Sequence, residues 1–249
     1  MTDAVVKLSI QQESIAVVSL EDRVNKNTFS KEFITDLLNV FEKINADTAL
    51  KVVVIHGYDN YFCCGGTKDE LLTLAEGVGS FTDLGFYRLL LDCDIPVIAA
   101  MQGHAVGGGL AFGAYADMFV MAYECFYTTN FMKYGFTPGF GSTYIIPKLF
   151  GDSIANNMLF GAQNYQGLQL SQWGIGAQFV KKSDVVNTAI ELAKNMTEMP
   201  RQSLLLLKQQ LRQEDKLLLP QYIERELAMH DISFKLPEVK TKIAELFGR

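Results

Sequence analysis

Two short stretches of this sequence leave the main chain bare: "NYFCCGGTKDELL" at residues 60–72 and "HAVGGGLAFGA" at residues 104–114. The triple glycine has three readings by itself. It can let a helix pack closely on a strand. It can cradle a phosphate, although it lacks the Lys and Ser/Thr of a P-loop and the dinucleotide spacing. Or it can turn a backbone N–H at a helix start toward a carbonyl oxygen. The second glycine corner favours the last, because two N–H groups converging on one oxygen stabilise an enolate. Removing one such donor costs about 3–4 kcal/mol. A nucleophilic thiol at Cys64 would want a basic partner, and nothing in the segment identifies one.

Elements that could position these corners are legible along the first two thirds of the chain. "VVKLSIQQESIAVVSLED" holds two apolar runs split by "QQES", a β-hairpin pattern. "SKEFITDLLNVFEKINAD" opens on Ser30 as N-cap and places Phe33, Leu37, Val40, Phe41 and Ile44 at helical spacing. "KVVVIHG", "PVIAAMQG" and "MFVMAY" are continuous apolar runs of the kind buried on both faces of a sheet. Helical stretches lie between them, near "FTDLGFYRLLLDC" and at "GGGLAFGAYA". Alternation of this sort implies right-handed crossovers and a largely parallel sheet, an α/β fold. From about residue 150 the pattern turns helical, through "DSIANNMLFGA", "SQWGIGA", "VVNTAIELAKNMTEM", "RQSLLLLKQQLRQ" and "PQYIERELAMHDISF". We divide the chain into a core at 1–195 and a C-terminal helical region at 196–249. Leu204–Leu207 and Leu217–Leu219 give that region more apolar surface than one face needs. Either an intramolecular core or another subunit could cover it.

Bulk properties exclude several classes. A chain of 249 residues suits one large domain with a short appendage. A net charge of −6 and the lack of a basic run argue against nucleic acid and against an anionic membrane surface. The N-terminal "MTDAVVKLSI" has no signal-peptide pattern, and no apolar run reaches the roughly 18 residues of a span. Cys63, Cys64, Cys93 and Cys125 lack metal-ligand spacing and fit a reducing compartment. The expectation is a cytoplasmic protein with no metal.

Three blocks carry a family resemblance. "YFCCGGTKDE", "IPVIAAMQGHAVGGGLAFGAYADMFV" and "FMKYGFTPGFGSTYIIPKLFG" resemble the successive signature blocks of the crotonase (enoyl-CoA hydratase/isomerase) superfamily, in order and approximate spacing. The resemblance covers nearly the whole chain. It implies a spiral of ββα units with a C-terminal helical trimerisation region, hence a homotrimer or a dimer of trimers. It also implies a thioester carbonyl held by two backbone N–H groups, which fall on Cys64 and Gly108. Family hydratases carry two glutamates that activate water. One lies three residues past the middle glycine of the run, which is Ala111 here; the other lies four before the glycine of the third block, which is Phe131.

With both acids gone, water addition is disfavoured while the oxyanion apparatus remains. Decarboxylation fits that pattern, because the breaking carbon–carbon bond leaves its electrons behind without a base. A dry pocket would assist, and Ala111 and Phe131 would help to make it dry. "MQGHAVGGG", "NFMKYGFTPGFGSTYI" and "ELAMH" resemble one branch of the superfamily, the decarboxylases of polyketide β-branching. That branch implies conversion of a 3-methylglutaconyl thioester on an acyl carrier protein to a 3-methylcrotonyl thioester. The phosphopantetheine arm is then part of the substrate, and no separate cofactor is implied.

Three histidines could supply the proton that quenches the carbanion. His56 ends a buried strand and reads as structural; His104, at the bend before the glycines, reads as a backbone partner. His230 sits on a helix whose apolar face includes Ile223, Leu227 and Phe234, and spacing alone makes it a core residue. The resemblance gives it an active-site place. Lys68 and Tyr87 are candidates for the substrate carboxylate, although some relatives use a Tyr and a Lys on the helix where this chain has "TKDELLTL". Lys133 defaults to the surface. Arg23 and Lys26, in "DRVNKNTFS", could meet the phosphate of the pantetheine arm. An enoyl-thioester isomerase and a non-catalytic scaffold are the alternatives. Proton exchange without CO₂ loss would mark the first, and indifference to substitution at Gly108 the second.

Overall fold

The protein was analysed as a computed structural model, which describes residues 4–78 and 85–247. In chain order its elements are β1 (Val6–Gln11), β2 (Ile15–Leu20), α1 (Lys31–Ala46), β3 (Val52–His56), β4 (Tyr61–Cys63), α2 (Lys68–Ala75) and α3 (Leu89–Asp92). Then come β5 (Val97–Met101), β6 (His104–Val106), α4 (Gly108–Ala114), β7 (Met118–Ala122), β8 (Phe126–Thr128), α5 (Ser142–Phe150) and α6 (Asp152–Gly161). The last are β9 (Tyr165–Gln166), α7 (Gly167–Gln172), β10 (Gln178–Val180), α8 (Val185–Thr197), α9 (Arg201–Ser233) and α10 (Pro237–Leu246).

Strands are dealt alternately to two sheets. The larger runs β1-β2-β3-β5-β7-β10, and the smaller β4-β6-β8-β9. Among the described strand pairs only the β1–β2 hairpin and the β8–β9 pair are antiparallel. Each strand–strand–helix turn therefore adds one rung to both sheets, as the spiral of ββα units requires. β3, β5 and β7 are buried on both faces, which explains why each reads as an unbroken apolar run. α1 begins where expected: the Ser30 hydroxyl accepts the Phe33 N–H at 3.2 Å, and Phe33, Leu37, Val40, Phe41 and Ile44 turn inward.

Two expectations need correction. "SQWGIGA" is not a helix: α7 ends at Gln172, and Gly174 takes a left-handed φ of 76°, breaking the helix before β10. The two helical segments expected over 201–213 and 220–234 are one continuous helix, α9, with Pro220 inside it. The stretch "FTDLGFYRLLLDC" falls partly outside the described residues; its described part, a 3₁₀ turn at Phe86–Arg88 followed by the short α3, is helical as expected.

α9 turns an unusual face inward. Leu204, Leu219 and Ile223 are buried on it, but so are Lys208, Asp215, Glu226 and His230. Lys208 Nζ donates to the carbonyls of Leu90 and Ile95 and pairs with Asp117 at 2.8 Å. Asp215 receives Lys148, Tyr144 and Arg212. Burial alone would raise the Asp215 pKa, but the hydrogen bonds from Lys148 and Tyr144 and the Lys148 charge outweigh it, so the carboxyl is held below its ordinary range. These paired charges dock the helix in place of a leucine stripe. The leucines left over face outward: Leu206, Leu207, Leu211 and Leu217 are all more than half exposed in the single chain.

Candidate active site

β4 and β6 are parallel neighbours in the small sheet, so the chain leaves both at the same end. That is why the two glycine corners meet. A methyl group placed on Gly65 would lie 2.9 Å from the Val106 carbonyl oxygen and 3.0 Å from the Gly108 nitrogen. Gly65 itself takes φ +75°, a conformation only glycine adopts without strain. In the triple glycine the two readings divide by residue. Gly109 serves close packing, since a methyl there would meet the Cys63 carbonyl at 2.1 Å; Gly108 lines an open cavity.

The Cys64 N–H, expected to serve as donor in the first corner, already has an acceptor. It is directed at the Asn27 carbonyl oxygen, 3.4 Å away. The Gly66 N–H, on the cavity wall, has no hydrogen-bond partner among the described residues, and neither has that of Gly108. Asn27 creates this arrangement. Fully buried and left-handed at φ +52°, it accepts the Asp22 N–H and donates to the carbonyls of Leu20 and Phe62. It thereby pins the "DRVNKNTFS" loop to the first corner and occupies the Cys64 amide. Sequence reasoning passed over Asn27; an Asn beside a lysine shortly before a helix cap reads as an ordinary loop residue. Cys64 lines the cavity, and burial pushes its thiol up to about 12, so it is not a thiolate nucleophile.

The cavity, of about 580 Å³, runs from the loop at Val24–Lys26 past both corners to an aromatic chamber. Phe131, Tyr134, Phe136 and Phe247 wall that chamber together with Leu71. Phe131, at the position of one missing glutamate, is itself part of the lining. Ala111, at the other, is wholly buried in α4. Asp69 is the one carboxyl residue on the wall among those described, and it is exposed in the first turn of α2.

The remaining candidate residues separate in space. Lys68 lines the cavity, with its ammonium donating to the Ala244 carbonyl at 2.8 Å and so tying α2 to α10. Lys26 lines it with its ammonium over the Tyr61 ring, and Lys133 stands exposed at the rim. Arg23 does not line it: its guanidinium pairs with Asp59 at 2.6 Å and stacks on Tyr58. Tyr87 does not either; it packs on Phe140 with ring centroids 6.0 Å apart. The reason in both cases is that a nearer partner captures the side chain.

His230 lies one layer behind the wall. A methyl on Gly139 would come within 2.3 Å of its ring, and Gly139, not His230, lines the cavity. Its Nε2 is 2.9 Å from the Thr137 carbonyl oxygen. Burial pulls its pKa below the ordinary value, against the opposing hydrogen bonds of Thr137 and Pro138. The same wall is braced from two other sides. Phe140, left-handed at φ +65°, stacks on Phe29 at 5.1 Å, and its carbonyl accepts the Tyr115 hydroxyl. Glu226, buried on α9, accepts the N–H groups of Gly141 and Thr143 at the start of α5. Burial raises its carboxyl to about 7 in spite of the Thr143 and Gly141 donors. His104 lines the cavity, and its Nδ1 accepts the Phe126 N–H at 3.0 Å, which fulfils the backbone role expected of it.

The enoyl-CoA hydratase/isomerase family model matches residues 10–245. The chain is 45% identical over 248 residues to the bacillaene synthase decarboxylase PksI of Bacillus subtilis, with both chains fully covered. Among solved structures it is similar to a member of a dehydratase/decarboxylase enzyme couple involved in polyketide β-branching, at 45% identity and a TM-score of 0.97 over 98% of this chain and 100% of that one. The ECH2 decarboxylase domain of CurF from Lyngbya majuscula matches at 38% identity and a TM-score of 0.95, over 98% and 100% of the two chains.

Proposed function

The chain belongs to the enoyl-CoA hydratase/isomerase family, and from that membership we propose that it decarboxylates an acyl thioester in polyketide β-branching. One observation carries the reading. Two unpaired N–H groups face a cavity from which both water-activating carboxyls are absent, with Ala111 and Phe131 in their places. The substrate is a 3-methylglutaconyl group on the phosphopantetheine arm of an acyl carrier protein, a reading supported by the likeness to the polyketide β-branching enzyme couple. The bond to the carboxylate breaks and releases CO₂. Its electron pair moves through the conjugated system onto the thioester oxygen, where the N–H groups of Gly66 and Gly108 stabilise it. One proton then returns to carbon to give the 3-methylcrotonyl thioester. The surrounding aromatic walls keep out water that would weaken both hydrogen bonds.

The arm enters past Lys26, the cation of the N-terminal loop that lines the cavity; Arg23 acts only in holding that loop. His230 fixes the Gly139–Phe140 wall and so positions the reacting group. No organic cofactor or metal takes part. The exposed leucines of α9 are the surface on which copies of the chain assemble, as a homotrimer or a dimer of trimers. Among the described residues no helix is long and apolar enough to cross a membrane, and we place the enzyme in the cytoplasm.

Mass spectrometry of a carrier-bound 3-methylglutaconyl group tests the reaction. Incubation with the protein should remove the mass of CO₂ and leave the thioester intact. Unchanged mass would overturn the reading, as would addition of water. Light scattering of a Leu211→Glu variant tests the assembly, which should fall to smaller species.

A further inference from the structure

We propose that Tyr134, steadied by Asn130, is the hydrogen-bond donor that recognises the departing carboxylate of the substrate. The inference rests on the decarboxylase reading above and names a residue for the one part of the substrate left without a partner there.

Tyr134 lies in the 3₁₀ segment Asn130–Tyr134, between the small sheet and α5. It is buried, yet it lines the cavity. Its ring is clamped between Phe136, at 6.0 Å and 11°, and Phe247, at 6.1 Å and 30°; Phe136 in turn stacks on Phe234 at 4.4 Å. The direction of the hydroxyl is therefore fixed by four stacked rings. That hydroxyl accepts a long bond from Asn130 Nδ2, 3.4 Å away, and its own proton has no acceptor among the described residues.

Asn130 places the pair beside the reaction centre. A methyl on Gly107, the residue before the Gly108 donor, would sit 2.8 Å from Asn130 Oδ1. On the other side, Cys64 of the first corner lines the same cavity as Tyr134. The unspent O–H thus stands in an aromatic chamber next to both glycine corners. Burial raises the phenol pKa, so the group stays protonated and remains a donor.

A phenol suits this task better than an ammonium. The carboxylate carries a full charge before the bond breaks and none once it is CO₂. A cation in contact would stabilise the starting state most and lose that interaction in the transition state. A single neutral donor can orient the carboxylate, with the breaking bond across the plane of the forming enolate, at a smaller cost in barrier. The ammonium of Lys68 is directed elsewhere, to the Ala244 carbonyl.

Tyr134→Phe removes one oxygen and keeps the stacked ring, so the fold is preserved. Affinity should be measured for two pantetheine thioesters that do not react: 3-methylglutaryl, which has the carboxylate but no double bond to receive the electrons, and 3-methylbutyryl, which lacks the carboxylate. The variant should bind the first about 10- to 100-fold more weakly than wild type and the second equally well. Asn130→Ala should shift the same ratio in the same direction by less. Equal losses for both ligands, or none for either, would overturn the proposal even if the wild-type protein decarboxylates its carrier substrate. If wild type releases no CO₂, the decarboxylase reading fails, and this inference fails with it.

Discussion

Gly65→Ala perturbs the meeting point of the two corners, and its effect separates into two parts. The first is backbone strain. At φ +75° an alanine costs about 1–2 kcal/mol relative to glycine. The second is contact: the new methyl would lie 2.9 Å from the Val106 carbonyl oxygen and 3.0 Å from the Gly108 nitrogen. Ordinary carbon contacts begin nearer ~3.5 Å, so the corners must part by about half an ångström. Oxyanion donors work only at hydrogen-bond distance from the developing charge, and losing one lowers kcat by about 100- to 1,000-fold. Gly77→Ala is the matched control. Gly77 takes φ +78°, and a methyl there meets nothing within 4 Å. Both variants should lose about 2–8 °C of melting temperature to strain, with a further loss at Gly65 from overpacking. Only Gly65→Ala should lose turnover, by roughly 100-fold in a CO₂-release assay. If it turns over within a few-fold of Gly77→Ala, the converging corners do not hold the oxyanion.

Three further outcomes follow from the site and its supports. Phe131→Glu returns a carboxyl to the position of one family acid, but into an aromatic wall and without a partner at Ala111; it should lower stability by about 2 kcal/mol in denaturant unfolding and yield no hydrated product by mass spectrometry. His230→Gln should lower kcat by loosening the Gly139–Phe140 wall while leaving the shape of the pH–rate profile unchanged. Loss in the variant of an ionisation below the ordinary histidine value would instead put the imidazole in the proton path. Asp215→Asn should cost about 2–3 kcal/mol at neutral pH, because the buried carboxylate's charge-assisted bonds to Lys148 and Arg212 are weakened, while Lys148 is partly exposed and Arg212 keeps Asp117. The Asp215 pKa is depressed in the folded state, so its contribution is complete above the unfolded value of about 4 and fades as pH falls through the lower folded value. Melting curves of wild type and variant should therefore converge in acid, and a gap that widens there would refute the assignment.

Much of the fold was written in local pattern. The hairpin, the capped α1 and the doubly buried β3, β5 and β7 follow from periodicity and caps, which depend only on near neighbours in the chain. The small sheet left no such trace, because β4, β6 and β8 have three residues each and β9 has two, too few for any period to register. α9 misled for a different reason. Its inward charges are tolerated only because Asp117, Lys148 and Tyr144 come from distant elements to pair with them.

The site divides in the same way. The sequence by itself determined that two bare corners exist and that two acids are missing, since both are statements about residue identity at a position. Which amide is available was decided by tertiary structure: Asn27, well before the corner in the chain, takes up the Cys64 N–H and leaves that of Gly66 open. The fold likewise set His230 behind Gly139, turned Arg23 and Tyr87 to nearer partners, and brought Tyr134 to the cavity wall. Direction is the physical reason. A residue's type fixes what its groups can do, but where an N–H or O–H points is settled by backbone angles and by competing partners far away in sequence.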